Sequence, residues 1–166
     1  KAGYAQYGVD LTSSLKLKAN VRFENNSVKY EGTSQGLNDY WEKIELPLIH
    51  FDIDHSMLGY RASLHYLKDE FTSYYGSISQ GYKSGGVNQQ PYLTDASRPY
   101  DPEFIQNSEV GLKRTTDIYR TQLSAFYSLR KDQQVSLSSQ QVEGDPNSFL
   151  FYTVLVKGFC IRFCYR

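Results

Sequence analysis

The sequence predicts an all-β protein whose strands form an antiparallel up-and-down meander. Three observations support this fold class: apolar and polar residues alternate with a period of two in several long stretches, short turns alternate with long connections, and no helical period is sustained. The 15 Tyr and 9 Phe residues strengthen the prediction, because aromatic side chains favour strands. We expect about seven or eight strands within residues 1–153.

The first predicted hairpin occupies the N-terminal residues. Ala5, Tyr7 and Val9 alternate with polar or small residues in the opening stretch. After a short link at residues 12–14, the stretch LKLKANVRFE places apolar side chains on one face and charged or polar side chains on the other. This pattern is typical of a strand with two chemically different sides.

The same alternation predicts two further hairpins. In the second, residues 58–67 lead through a polar turn at residues 68–70 into the stretch FTSYYGSISQGYK. In the third, residues 104–115 turn near Thr116 and Asp117 into a last long strand. The connections between the hairpins, near residues 25–51 and 84–103, are rich in Gly, Pro and Asn. We expect both to be long loops.

Composition excludes several classes of function. The chain of 166 residues has 18 basic and 18 acidic side chains, so it lacks the basic surface of a nucleic-acid-binding protein. No stretch approaches the roughly 20 apolar residues of a membrane-spanning helix. Cys160 and Cys164 are too few for a zinc site. The first residue is not Met, which suggests a piece of a longer protein.

Three candidate chemistries receive little support. The stretch GSISQGYKSGG, residues 76–86, misses the phosphate-binding loop pattern by the inserted Tyr82, and turns follow it instead of the required helix. The stretch HFDIDH, residues 50–55, could be drawn as a metal cluster, but a polar strand or loop stem explains it better. A Gly-x-Ser-x-Gly nucleophile motif does not occur in the sequence. We therefore expect no enzyme activity, no cofactor and no metal.

The alternation fits two architectures. In a soluble β-sandwich the apolar sides of the strands would share a core, whereas in a transmembrane barrel they would face lipid and the polar sides would face the interior. Long strands, the rhythm of short turns and long loops, and tyrosines near strand ends favour the barrel. The charged residues predicted to face the interior are Lys16, Lys18, Arg22, Arg61, Arg120 and Arg130.

Several stretches in a fixed order resemble the barrel of TonB-dependent outer-membrane receptors of the siderophore-receptor type. They are SYYGSISQGYKSGGVN, PYDPEFIQNSEVGLK and TQLSAFYSLRKDQQV, and YAQYGVDLTSSLKLKANVRFE resembles an earlier hairpin, so the resemblance covers about residues 4–153. Residues 154–166 depart from the family pattern, and we hypothesise that this tail is read out of frame or belongs to a damaged gene. The residues that match the signature, for which we expect a structural role, are Gly81, Tyr82, Lys83, Ser84, Gly85, Gly86, Pro102, Glu103, Glu109, Gly111, Lys113, Phe126 and Tyr127.

The resemblance implies an internal fragment of a transmembrane barrel of roughly 22 strands in the bacterial outer membrane. It also implies an intact protein that takes up a ferric siderophore or similar iron chelate and draws energy from TonB through a plug domain, which we do not find in this chain. Tyr92, Arg98 and Tyr100 are candidate ligand contacts, since rings and a cation suit an anionic chelate. Packing within the loop explains these three residues equally well. The alternatives are a passive porin and a soluble β-sandwich binding module.

Overall fold

The computed structural model describes residues 1–33, 35–37, 42–45, 48–90, 93–140 and 149–165. Its strands are β1 (Ala2–Asp10), β2 (Leu15–Gly32), β3 (Gln35–Leu37), β4 (Lys43–Glu45), β5 (Ile49–Leu67), β6 (Thr72–Lys83), β7 (Gly86–Val87), β8 (Pro99–Tyr100), β9 (Glu103–Thr115), β10 (Arg120–Gln140) and β11 (Phe149–Tyr165). A short 3-10 helix covers Asp95–Ser97. No helix within the described ranges is long and apolar enough to cross a membrane.

Seven long strands form one sheet in the order β1-β2-β5-β6-β9-β10-β11. Every neighbouring pair is antiparallel, and the order follows the chain. This is the predicted up-and-down meander. Two small hairpins, β3-β4 and β7-β8, lie outside the main sheet.

Each of the three short turns of the meander is held by a polar side chain. Thr12 Oγ1 accepts the backbone N–H of Leu15 at 3.0 Å, and Thr116 Oγ1 accepts that of Tyr119 at 3.1 Å. In the middle turn the Phe71 N–H donates to Asp69 Oδ1 at 2.9 Å. This bond holds the pKa of the Asp69 carboxyl below its usual range.

One face of the sheet is apolar and exposed, although it carries most of the large hydrophobic side chains. Val110, for example, is 62% exposed. Among the side chains that the structure describes, Met57 is the one large hydrophobic residue that is buried, at 1% exposure. A sandwich would bury this face against a second sheet. The structure therefore contradicts the sandwich alternative and fits a sheet whose apolar face meets lipid.

The predicted loop near residues 25–51 is shorter than the sequence suggested, because its two ends belong to strands. β2 and β5 stay paired from Leu15 with Tyr66 as far as Gly32 with Ile49. Beyond Phe23 and Leu58 the polarity of the two faces is reversed. The face that carried apolar residues now carries Asn25, Ser27, Lys29, Glu31, His50, Asp52, Asp54 and Ser56, and the other face carries Val28, Tyr30, Phe51 and Ile53.

Two strand pairs, β2-β5 and β10-β11, therefore extend much further than the pair β6-β9 that lies between them. β2-β5 and β10-β11 continue to Gly32 and Gln140, whereas β6 ends at Lys83 and β9 begins at Glu103. We call β2-β5 and β10-β11 the tall ribbons. The connection of residues 84–102 joins β6 to β9 and lies between the two tall ribbons.

The tail of residues 154–165 continues β11 without interruption. Val154 is paired with Val135, and Cys160 and Cys164 lie opposite Ser128 and Ser124 on β10. The backbone of the atypical stretch thus forms a regular sheet edge. Whether the reading frame changes within it is a question about the gene, and that hypothesis stays a prediction.

Candidate functional site

The signature residues of β9 assemble around one tyrosine on the polar face. Tyr75 lies opposite Gly111, and its hydroxyl donates to Glu109 Oε1 at 2.7 Å. The Lys113 ammonium lies 5.2 Å from the centroid of the same ring, and the His65 ring stacks against it with centroids 6.1 Å apart. Glu109, Gly111 and Lys113 therefore hold a single ring flat against the wall.

The glycine in this group is required by space. A Cβ atom on Gly111 would overlap the ring carbons and the hydroxyl of Tyr75. The absent side chain lets the ring lie on the backbone of β9, where one carboxylate and one ammonium flank it. The spacing Glu-x-Gly-x-Lys places all three on one face of the strand, because side chains alternate.

Tyr82 of β6 makes a similar contact, with its ring over a glycine of β5. The ring lies on the polar face, whereas strict alternation along β6 would place it on the apolar face. Its ring lies over Gly59, where an added Cβ would come within 3.0 Å of it. Its hydroxyl donates to Glu24 Oε2 at 2.9 Å and accepts from Arg22 Nε at 3.0 Å. Strict alternation along β6 predicts Tyr82 on the face of Ile78, near the lipid interface.

The difference has a structural reason. The pairing between β5 and β6 ends at Tyr60 and Gln80, so β6 is joined only to β9 beyond that point. The Tyr82 side chain can then cross to the polar face, where Gly59 leaves room for it. There it joins the 2.7 Å ion pair between Arg22 and Glu24.

The glycines after Lys83 are places of close approach. Gly85 is buried, and a Cβ added there would meet the Tyr100 carbonyl and lie 2.5 Å from His55 Nε2. Gly86 lies under the Tyr100 ring, with 2.6 Å between an added Cβ and the hydroxyl. Ser84 Oγ accepts from Asn26 Nδ2 at 2.6 Å. These contacts attach the start of the connection to the first tall ribbon.

The other end of the connection is attached to the second tall ribbon. Pro102 is buried, and the Glu103 carboxylate accepts from Arg130 Nη1 at 3.3 Å and from the Gln134 backbone N–H at 3.1 Å. Gln134 Nε2 donates to the carbonyls of Ser84 at 2.8 Å and Asp101 at 3.3 Å. A β-bulge between Arg130 and Gln133 precedes this contact.

Asn88 adds a third attachment. Its side-chain amide accepts the Thr153 N–H at 2.8 Å and donates to the Thr153 carbonyl at 3.1 Å. It therefore bonds the backbone of β11 as a partner strand would. The connection spans the gap between the two tall ribbons and is fixed to both.

The candidate ligand contacts lie in this connection, in different settings. Tyr92 falls outside the described residues. Arg98 is only 2% exposed, with its Nε 3.5 Å from Asp95 Oδ1, so in this structure it packs within the connection. Tyr100 is half-buried against Gly86. Packing within the loop, the alternative to ligand contact, therefore accounts for the observed position of Arg98.

Two further signature residues, Phe126 and Tyr127, lie on opposite faces of β10. Phe126 is opposite Glu109 on the polar side. Tyr127 lies on the apolar face beside a hollow of about 650 Å³ that is lined by Leu17, Leu64, Ile78 and Val110. This hollow opens toward the lipid side, so it is not a candidate site for a water-soluble ligand.

The stretch HFDIDH is divided between the two faces. His50, Asp52 and Asp54 point to the charged outer side of the tall ribbon, where Asp52 forms a 3.0 Å ion pair with Lys29. His55 is buried on the opposite face. In the part of the chain that the structure describes, no three His, Cys, Asp or Glu side chains form a candidate metal site.

Sequence reasoning missed the residues that attach the connection, namely Asn26, His55, Asn88, Gln134 and Thr153. They are single polar residues in ordinary surroundings, and their partners are distant in sequence. The pairing of Tyr82 with Gly59 had one possible signal, which is a glycine inside a predicted strand.

Comparison with known proteins identifies the family. Residues 1–159 match the family described as TonB dependent receptor-like, β-barrel. The pesticin receptor of Yersinia enterocolitica serotype O:8 / biotype 1B is 28% identical over 136 residues, and that of Yersinia pestis is 27% identical. Both alignments cover 81% of this chain and 19% of the relative, so the chain spans about a fifth of their length.

Two solved structures share the fold. The ferric yersiniabactin uptake receptor FyuA from Yersinia pestis superposes with a TM-score of 0.65 and 23% identity, covering 81% of this chain and 20% of that one. A double mutant of the Serratia marcescens hemophore receptor HasR, in complex with its hemophore HasA and heme, gives 0.63 and 11%, covering 99% and 30%. The family match over residues 1–159 shows that the chain belongs to the TonB-dependent receptor β-barrel family, whose members lie in the bacterial outer membrane.

Proposed function

We propose that the intact protein is an active outer-membrane transporter that takes up a ferric siderophore or a similar iron chelate. The observation that carries the proposal is the family match over residues 1–159 of a sheet with one exposed apolar face and one hydrogen-bonded polar face. Its similarity to a ferric yersiniabactin uptake receptor and to pesticin receptors supports an iron chelate as the ligand class.

This chain supplies part of the barrel wall in the proposal. The apolar face contacts the lipid of the outer membrane, and the polar face surrounds the passage. The energy comes from TonB, which acts through a plug domain encoded elsewhere in the protein. The cluster of Tyr75, Glu109, Gly111 and Lys113 stiffens the wall on its inner side.

The connection of residues 84–102 is the proposed ligand-contacting segment of this chain. It lies at the end of the sheet opposite the short turns, which in outer-membrane barrels is the extracellular end. Tyr92 and Tyr100 are its proposed aromatic contacts. Arg98 joins them only when the connection rearranges, because its side chain is buried within the connection in this structure.

Uptake of radioactive iron tests the function directly. The intact receptor gene is expressed in a receptor-deficient strain, and the cells are offered a panel of iron-loaded siderophores and haem. The ligand concentrations are too low for passive diffusion to give measurable uptake. We expect accumulation of one iron chelate that disappears in a matched strain without TonB. Accumulation that is independent of TonB would identify a passive porin, and no accumulation of any iron chelate would contradict the proposed ligand class.

A further inference from the structure

A second hollow, of about 300 Å³, lies on the apolar face toward the end of the sheet that is opposite the short turns. Its walls are the side chains of Gln80, Phe104, Gln106, Leu129 and Lys131. The strand register places all five on this face, because Gln106 lies opposite both Gln80 and Leu129. In the next row, Phe104 lies opposite Lys131. We call this feature the Lys131 hollow.

Lys131 marks the upper limit of the apolar band on β10. The lipid-facing side chains of this strand are apolar or aromatic from Leu123 to Leu129, and they are bounded by Thr121 at one end and Lys131 at the other. The ten residue steps from Thr121 to Lys131 cover roughly 34 Å at ~3.4 Å per residue. A strand tilt of about 35–45° turns this into roughly 24–28 Å across the membrane, which matches the ~25 Å band of an outer-membrane barrel. Lys131 therefore lies at the boundary between acyl chains and headgroups.

The protein does not neutralise this lysine. Among the described residues, none of the ion pairs includes Lys131. Arg130, its neighbour on the polar face, pairs with Glu103 at 3.3 Å. Asp132 lies in the β-bulge with a φ of 55°, and it is not within ion-pair distance of Lys131. A cation in this position, at the lipid side of the wall, is stabilised when the lipid supplies the anion.

Two glutamines bring hydrogen-bond donors to the same hollow. Gln106 Nε2 donates to Gln80 Oε1 at 2.8 Å, and Gln80 Nε2 donates to the Leu58 carbonyl at 2.8 Å. Each amide nitrogen has two N–H groups, so each keeps one beyond these bonds. Polar groups that face lipid are costly unless they are hydrogen-bonded, so the two remaining N–H groups favour a lipid with acceptor oxygens.

We propose that the Lys131 hollow binds a phosphate group of lipid A, the phosphorylated glycolipid that anchors lipopolysaccharide in the outer leaflet of the outer membrane. The Lys131 ammonium and the glutamine N–H groups contact the phosphate, and an acyl chain lies against Phe104 and Leu129. The position selects this lipid, because the end of the sheet opposite the short turns lies in the outer leaflet, where lipid A carries the phosphates. The proposal depends on the orientation of the barrel and not on the ligand that is transported.

Native mass spectrometry of the intact receptor in detergent tests the site. Bound lipid is counted while lipid A, dephosphorylated lipid A or phosphatidylglycerol is titrated against the wild type, Lys131→Gln and Gln106→Leu. The matched control is Lys18→Gln, which removes a lysine from the polar face. We expect the affinity for lipid A to fall several-fold in Lys131→Gln and Gln106→Leu and to stay unchanged in Lys18→Gln. Dephosphorylated lipid A should bind the wild type and Lys131→Gln equally weakly.

Three results would overturn the proposal. The first is an equal affinity of the wild type and Lys131→Gln for lipid A. The second is an equal loss in Lys18→Gln, because the effect would then come from the net charge of the receptor. The third is a dependence on Lys131 that is as strong for phosphatidylglycerol as for lipid A, since any anionic lipid would then suffice.

Photocrosslinking in living cells provides a second measurement. The photoreactive residue p-benzoylphenylalanine is incorporated in place of Phe104, or in place of Phe126 on the polar face as a control, and crosslinked receptor is detected with antibodies against lipopolysaccharide. We expect a crosslink from position 104 whose yield falls several-fold when Lys131→Gln is added, and no crosslink from position 126. A missing crosslink at position 104, or a yield that does not depend on Lys131, would contradict a phosphate bound in this hollow.

Discussion

The ring of Tyr75 on β6 lies directly over Gly111 on β9, and the Tyr75 hydroxyl donates to Glu109 two residues along the same strand at 2.7 Å. One residue without a side chain and one carboxylate thus fix a large ring against the polar face. This contact joins neighbouring hairpins of the meander, so its loss affects more than one element.

Gly111→Ala is expected to destabilise the barrel, because a methyl group would occupy the position of the Tyr75 ring. Overpacking of this kind costs about 1–3 kcal/mol. Urea unfolding of the intact receptor in vesicles measures the change. Gly76→Ala is the control, since a Cβ there would make only ordinary contacts at 3.9 Å. An equal loss of stability in both variants would show that the ring is not the reason for the glycine.

Tyr75→Phe is expected to lower the stability of the barrel, because the Glu109 carboxylate loses a hydrogen-bond donor. It removes the hydroxyl that donates to Glu109, and a hydrogen bond to a charged group contributes about 1.5–3 kcal/mol. In a double-mutant cycle with Glu109→Gln, we expect the combined loss to be smaller than the sum of the single losses. Additive losses, measured by the same urea titration, would mean that the two side chains do not act together.

Tyr82→Phe tests whether Tyr82 belongs to the polar face. The variant keeps the ring over Gly59 but loses the hydroxyl between Arg22 and Glu24, so we expect a lower unfolding midpoint. Tyr4→Phe is a suitable control, because Tyr4 is 86% exposed. If Tyr82→Phe behaves like Tyr4→Phe, the hydroxyl contributes nothing measurable at this position.

Gln134→Ala is expected to loosen the connection between the tall ribbons. Its side chain donates to the carbonyls of Ser84 and Asp101 at opposite ends of that connection. Hydrogen exchange followed by mass spectrometry should show faster exchange in peptides that cover residues 84–90. Gln106→Ala, which removes an amide bonded to Gln80 on the apolar face, is the control. Unchanged exchange in Gln134→Ala would show that other contacts hold the connection alone.

The middle turn is expected to depend on pH through Asp69. Because the Phe71 N–H lowers the pKa of this carboxyl in the folded protein, its contribution to stability is present above the ordinary Asp pKa. It is lost as the pH falls through the lowered value. Thermal unfolding of the intact receptor and of Asp69→Ala should therefore differ at neutral pH and converge in strong acid. A difference that stays constant over the whole range would contradict this assignment.

The meander was predictable because alternation is a local property. Leu17 and Lys18, or Leu64 and His65, fall on opposite faces in any strand, so the order and pairing of the hairpins follow from the pattern. The continuation of β2 through Asn25 and Asn26 was not, because the same alternation resumes there with the opposite phase. Two adjacent asparagines also resemble the start of a loop.

The contacts of the candidate site were predictable only in part. The positions of Glu109, Gly111 and Lys113 on one face follow from their spacing. Their common contact with Tyr75 depends on the register between β6 and β9, which no local sequence pattern indicates. The contact of Asn88 with Thr153 joins residues 65 positions apart, and no local pattern records it.

The reversal of polarity beyond Phe23 also separates the part of the sheet that lies in the membrane from the part that, in the proposed orientation, is accessible from outside the cell. Below that row, lipid covers the apolar face of the sheet. In the proposed orientation, Lys29, Glu31, His50 and Asp52 beyond that row present a charged and continuous strand surface to the external medium. This ribbon is therefore the natural epitope of the fragment: antibodies raised against whole bacteria should recognise it, and a peptide tag inserted near its end would report on living cells without permeabilisation.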